Sequence, residues 1–87
     1  MAKVTPDTLT PAHIRGARGL LNWSARELGE RAGVSARTMR TLEAGRPVAI
    51  ATREAVLAVL EGEGVAFQNG GRPGVRMTGE DAPEGEG

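Results

Sequence analysis

Residues 25–43 read ARELGERAGVSARTMRTLE, from Ala25 to Glu43. Two short helices fit this stretch, joined by a sharp turn at Gly33. Small or apolar residues fall at Leu28, Gly29, Ala32, Val34, Met39 and Leu42. That spacing lets the two helices cross closely and leaves the second with a polar outer face. Helix starts on either side follow a common grammar. Ser24-Ala25-Arg26-Glu27 has the form of a capping box, with Trp23 placed to staple onto Leu28. Ser35 caps the next helix, with Val34 placed against Met39.

Upstream, Thr10-Pro11 repeats the signal, with Thr10 as N-cap and Pro11 at the first helical position. Leu9 can pack on Ile14. A first helix is predicted over Pro11–Leu21, burying Ile14, Ala17, Leu20 and Leu21. The second is predicted over Ala25–Ala32, ending at Gly33 in the left-handed conformation. The third runs about Ala36–Ala44 and stops at Gly45, with Pro47 just beyond. A fourth, Thr52–Glu61, carries Ala55, Val56, Val59 and Leu60 as one stripe at helical spacing. Gly62 and Gly64 end it.

The pattern then changes. Val65-Ala66-Phe67-Gln68 and Val75-Arg76-Met77 are compatible with short strands, and Asn69–Gly74 between them reads as a loop. A lone hairpin is marginal, so this one must pack on the helices or on a second chain. The segment from Gly79 to Gly87 is acidic, glycine-rich and without large apolar residues, the composition of a disordered tail. The chain divides into a flexible lead-in at 1–8, a helical domain at 9–64, a hairpin or dimerisation element at 65–78 and the tail at 79–87.

The chain has 87 residues, no cysteine and a formal net charge of zero. This length supports one small domain, and the absence of thiols excludes disulfides and thiolate metal sites. Trp23 and Phe67 are the only aromatic residues, so the core is a thin aliphatic one that dimerisation would help. No apolar run approaches the ~20 residues of a membrane span. The first ten residues lack the apolar stretch of a secretion signal, so cytoplasm is the expected compartment.

Net neutrality hides an asymmetry. Residues 10–53 carry eight arginines against three glutamates, while residues 54–87 carry two arginines against seven acids. The basic half implies a polyanionic partner, or else plain solvated helix faces. Lys3 apart, every cation is an arginine, which suits bidentate contact with phosphate or guanine.

These residues resemble the Cro and phage-repressor-like helix-turn-helix family, also called XRE. The likeness covers roughly residues 9–61 and is most specific at 25–45. It rests on a small residue at Gly29, the turn glycine Gly33 followed by Val34, the apolar pair Met39 and Leu42, and Glu43 shortly before Gly45. Two positions depart from the family pattern. Gly29 stands where alanine is usual, and Met39 replaces a branched residue. The resemblance implies a mainly α fold, a compact four- to five-helix lambda-repressor-like bundle. The strand-like residues 65–77 stand in place of its last helix.

It also implies double-stranded DNA as partner, with the third helix in the major groove. At 100° per residue, Met39 and Leu42 set the buried side. The opposite side carries Ala36, Arg37, Arg40, Thr41 and Ala44, which match the family's base-reading positions. Arg37 and Arg40 suit guanine O6 and N7, and Ala36 and Thr41 suit a thymine methyl. Phosphate contacts are expected from Ser24, Ala25 and Arg26 at a helix start, from Arg46 in the following loop, and from Arg53. The resemblance further pairs Arg18 with Glu43 across the first and third helices. A homodimer would set two recognition helices ~34 Å apart on a palindrome.

Catalysis is not expected. His13 is the sole histidine and stands beside no cysteine, Ser24 and Ser35 are explained as caps, and no phosphate-binding loop motif occurs. No metal or cofactor is expected. Two other readings stay open. One is a protein-interaction module built on the same bundle without DNA binding. The other is a DNA-binding antitoxin whose protein partner the sequence does not name.

Overall fold

The computed structural model describes residues 4–70 and 72–77. It is mainly helical. A short 3-10 turn at Pro6–Thr8 precedes α1 (Pro11–Leu21), α2 (Ala25–Ala32), α3 (Ala36–Glu43) and α4 (Ile50–Gly62). Two strands follow, β1 (Val65–Gly70) and β2 (Arg72–Met77), paired antiparallel as a two-stranded sheet.

Local side-chain chemistry starts the first three helices. Thr10, Ser24 and Ser35 each accept a hydrogen bond from a backbone N–H three residues on. Each bond satisfies one amide that the helix leaves without a partner. The box at Ser24 does not close as the sequence suggests, because the Glu27 carboxylate pairs with Arg31 at 2.9 Å. A box does form at Thr10, where the N3 residue is His13. The Thr10 backbone N–H donates to His13 Nδ1 at 3.1 Å.

The same three helices also share an ending. Asn22, Gly33 and Gly45 take left-handed backbone, with φ of 59°, 72° and 80°. The next residue's N–H then reaches back five positions, from Trp23 to Arg18 O, Val34 to Gly29 O and Arg46 to Thr41 O. This closes each helix with its late carbonyls paired. The third helix therefore stops one residue earlier than expected, and Ala44 is its C-cap.

The core is aliphatic, with Val4, Leu9, Ile14, Ala17, Leu28, Met39, Leu42, Val56, Leu57, Leu60 and Val65 all buried. Each large member contributes ~1.5–3 kcal/mol relative to exposure. Against it α2 packs on α3 and α4, α1 packs on α3 and β2, and α4 packs on the 3-10 turn and β1.

Several expectations need correction. Leu20 is 41% exposed rather than buried. Residues 4–8 are not an unstructured lead-in. Val4 is 2% exposed, and Arg53 of α4 donates to the backbone carbonyls of Pro6 and Leu9. The fourth helix begins at Ile50, two residues before the sequence signal, and it buries Leu57 beside Val56 and Leu60. Its N-cap, Ala49, makes no side-chain bond, which is why the sequence shows no start signal there.

The stretch 69–74 is not wholly a loop either, since Asn69 pairs with Pro73 and Gly70 with Arg72. Further along, β2 packs on α1, where the Val75 side chain occupies the space a Gly16 Cβ would need. The expectations for residues 1–3 and for the acidic tail at 79–87 lie outside the described residues.

Candidate nucleic-acid interface

The α3 helix has two unlike sides. Met39 and Leu42 are 0% and 1% exposed and hold it to the core. Ala36, Arg37, Arg40 and Ala44 are exposed on the other side, with Thr41 half-buried at its margin. Thr41 Oγ1 donates to the Arg37 carbonyl at 3.2 Å, so its hydrogen is directed along the helix. Arg37 and Arg40 are three residues apart, which sets their Cβ atoms about 5–6 Å from one another on one ridge. No hydrogen bond or ion pair joins either guanidinium to another described residue.

Behind the ridge, α2 approaches α3 at Gly29. A Cβ at that position would lie 2.7 Å from Val34 O and 2.8 Å from Met39 Cγ. Glycine is therefore what the crossing admits, and its presence at this position has a steric reason. At the far end of α2, Arg31 stacks over the Trp23 ring at 4.3 Å while pairing with Glu27. Trp23 is accordingly held at the corner between α1 and α2.

α1 grips the last residue of α3 with two arginines. Arg18 Nε donates to Glu43 Oε2 at 2.9 Å and Nη2 to Oε1 at 2.8 Å, a bidentate fork. Its Nη1 also donates to the Trp23 carbonyl at 3.2 Å. The two side chains are 22% and 12% exposed, so water screens them little. Arg15 reaches the same residue at another atom, with Nη1 donating to the Glu43 backbone carbonyl at 3.0 Å. Sequence reasoning missed Arg15, because an exposed arginine carries no signal of a contact with a carbonyl 28 positions away.

The expected phosphate-contacting residues fall into different settings. Ser24 Oγ accepts from the Glu27 N–H at 3.0 Å and so acts as a cap, with Ala25 half-buried at the first helical position. Arg26 is 82% exposed and loosely paired with Glu30 at 3.3 Å, a contact worth little on a solvated surface. Arg46 is exposed in the loop after α3. Arg53 stands in a different setting again. Its Nε and Nη2 donate to the carbonyls of Pro6 and Leu9, so the half-buried guanidinium ties the N-terminal segment to α4, a structural role that the sequence reading did not give it.

Among the described residues, no group of three or more His, Cys, Asp or Glu side chains could hold a metal ion, and no helix is long and apolar enough to cross a membrane. An open pocket of about 340 Å³ lies beside β1, lined by Val4, Glu61, Val65, Ala66 and Phe67. Among the described residues, Glu61 is the ionisable side chain that lines it. No protein-family model matches the chain, and no curated protein matches it.

Proposed function

We propose that the protein is a sequence-specific double-stranded DNA-binding regulator of transcription, a repressor, that sets α3 in the major groove. One observation carries this reading. Arg37 and Arg40 stand exposed on a single ridge of a helix whose opposite side is fully buried, with no partner of their own among the described residues. Two unpaired guanidinium groups one turn apart match the spacing of acceptors along a groove edge, and guanine offers each a bidentate site. Around the ridge, Arg46 and Arg26 add exposed positive charge for the phosphate backbone. The XRE resemblance of residues 25–45 supports the same docking geometry.

One module buries little DNA, so a homodimer on a palindrome is part of the proposal. A protein-docking role for the same bundle draws support from the zero net charge of the chain. Selection of bound sequences from random duplexes, followed by a salt titration, separates the two. DNA binding predicts a recovered consensus and an affinity that falls steeply with salt. Recovery of no consensus, with no salt-dependent duplex binding, would overturn the proposal.

A further inference from the structure

An α-helix leaves its last four carbonyls without helical partners. For α3 these belong to Arg40, Thr41, Leu42 and Glu43. Three are satisfied by the chain that follows. The Ala44 N–H donates to Arg40 O at 3.0 Å, Gly45 to Leu42 O at 3.1 Å and Arg46 to Thr41 O at 3.1 Å. The fourth carbonyl, Glu43 O, is reached instead by Arg15 Nη1 from α1 at 3.0 Å. Arg15 thus completes the cap of a helix to which it does not belong. Its positive charge also lies at the negative end of the α3 dipole.

From this geometry we infer that Arg15 is a positioning residue for the DNA-reading ridge, fixing the rotation of α3 by holding the Glu43 carbonyl while Arg18 holds the Glu43 carboxylate. The inference rests on the DNA-binding proposal for its consequence, but not for the clamp itself. The reason two points are needed is geometric. The carboxylate sits on a rotatable side chain, so Arg18 alone leaves small rolls of this end of α3 to be limited by the packing of Met39 and Leu42. A second bond, made to the backbone, narrows that residual freedom. With side chains included, a helix has a radius of about 5–6 Å, so a 10° roll moves ridge atoms by about 1 Å. Recognition tolerates roughly 0.5 Å of misplacement. A roll of that size would disturb base-edge hydrogen bonds while leaving adaptable phosphate contacts in place.

The test compares wild type, Arg15→Ala and Arg15→Lys in two measurements. The first is amide hydrogen exchange without DNA. Arg15→Ala should speed exchange at Gly45 and Arg46 about fivefold, the factor that corresponds to one ordinary hydrogen bond. Exchange in α2 should not change, and Arg15→Lys, which keeps a charged donor, should restore the wild-type rate. The second is affinity for the selected duplex and for a random duplex of equal length, each across a salt series. Arg15→Ala should lower the preference for the selected duplex about fivefold through the same bond, with random-duplex affinity and salt slope unchanged.

Equal loss on both duplexes with a salt slope smaller by about one would make Arg15 a phosphate contact and overturn the inference. So would unchanged exchange at Gly45 and Arg46, or a lowered melting temperature with duplex preference intact. If wild type binds no duplex, the DNA proposal fails by itself and the exchange measurement still decides the clamp.

Discussion

Replacing Gly29 by alanine sets two effects against each other. In an exposed helix interior the change is favourable by up to ~1 kcal/mol, because alanine loses less backbone entropy on folding. At Gly29 the added carbon would stand 2.7 Å from the Val34 carbonyl oxygen and 2.8 Å from Met39 Cγ, where ordinary contact begins at 3.4 Å. Met39 can swing part of the way aside. The Val34 carbonyl cannot follow easily, because the Val34 N–H is bonded to Gly29 O at 2.8 Å and that bond closes α2. The helices must separate by several tenths of an ångström, and overpacking of this kind costs about 1–3 kcal/mol.

Overpacking outweighs the entropic gain, so Gly29→Ala should destabilise by about 1–2 kcal/mol net. For a domain of this size, that lowers the melting temperature by roughly 4–16 °C. Gly19→Ala is the internal control. Gly19 lies in α1 with nothing within 4 Å of an added Cβ, so the same chemical change should stabilise by about 0.5–1 kcal/mol. Thermal unfolding followed by far-UV circular dichroism reads both. Should Gly29→Ala melt at or above wild type, as Gly19→Ala is expected to, the steric account of the α2–α3 crossing is wrong.

Four other outcomes follow from the same contacts. Glu43→Ala should cost about 2 kcal/mol in urea denaturation, because it leaves the largely buried Arg18 guanidinium without its carboxylate, and the Arg18→Ala, Glu43→Ala double mutant should lose less than the two singles together. Ala49→Ser should stabilise by about 0.5–1 kcal/mol by supplying the cap that α4 lacks, whereas Ser35→Ala should cost about 1 kcal/mol, both read as urea midpoints. Arg53→Met should speed proteolysis within residues 4–9 while leaving the salt slope of duplex binding unchanged, since its guanidinium serves the carbonyls of Pro6 and Leu9. Arg37→Ala and Arg40→Ala should each cost about 1–3 kcal/mol on a selected duplex and relax preference at one base, and Arg46→Ala should weaken all duplexes alike, as measured by competition binding.

What can be read from the sequence tracks how local the governing interaction is. The bounds of α1 and α2 are legible because a cap and a left-handed closing residue each act within a few positions, as with Ser24 and Gly33. The fourth helix start is not, because Ala49 contributes no such signal. Arg18 and Glu43 are matched through a family likeness rather than through spacing. Arg15 and Arg53 escape a sequence reading because their partners are backbone carbonyls 28, 44 and 47 residues away, and a carbonyl has no identity in a sequence. His13 does leave a sign, since Thr10 and His13 have the spacing of a capping box with an imidazole in place of the usual carboxylate or amide.

The placement of the hairpin bears on how a dimer could form. On α1, His13 and Gly16 face the hairpin, through a His13–Phe67 edge contact at 5.4 Å and the Val75 methyl groups. Arg15 and Arg18 on the same helix face α3. At 100° per residue these two pairs point about 160° apart, so α1 separates the hairpin from the arginine ridge. A second copy seated on the hairpin would therefore leave Arg37 and Arg40 uncovered, whereas one seated on the loop after α3 would crowd Arg46.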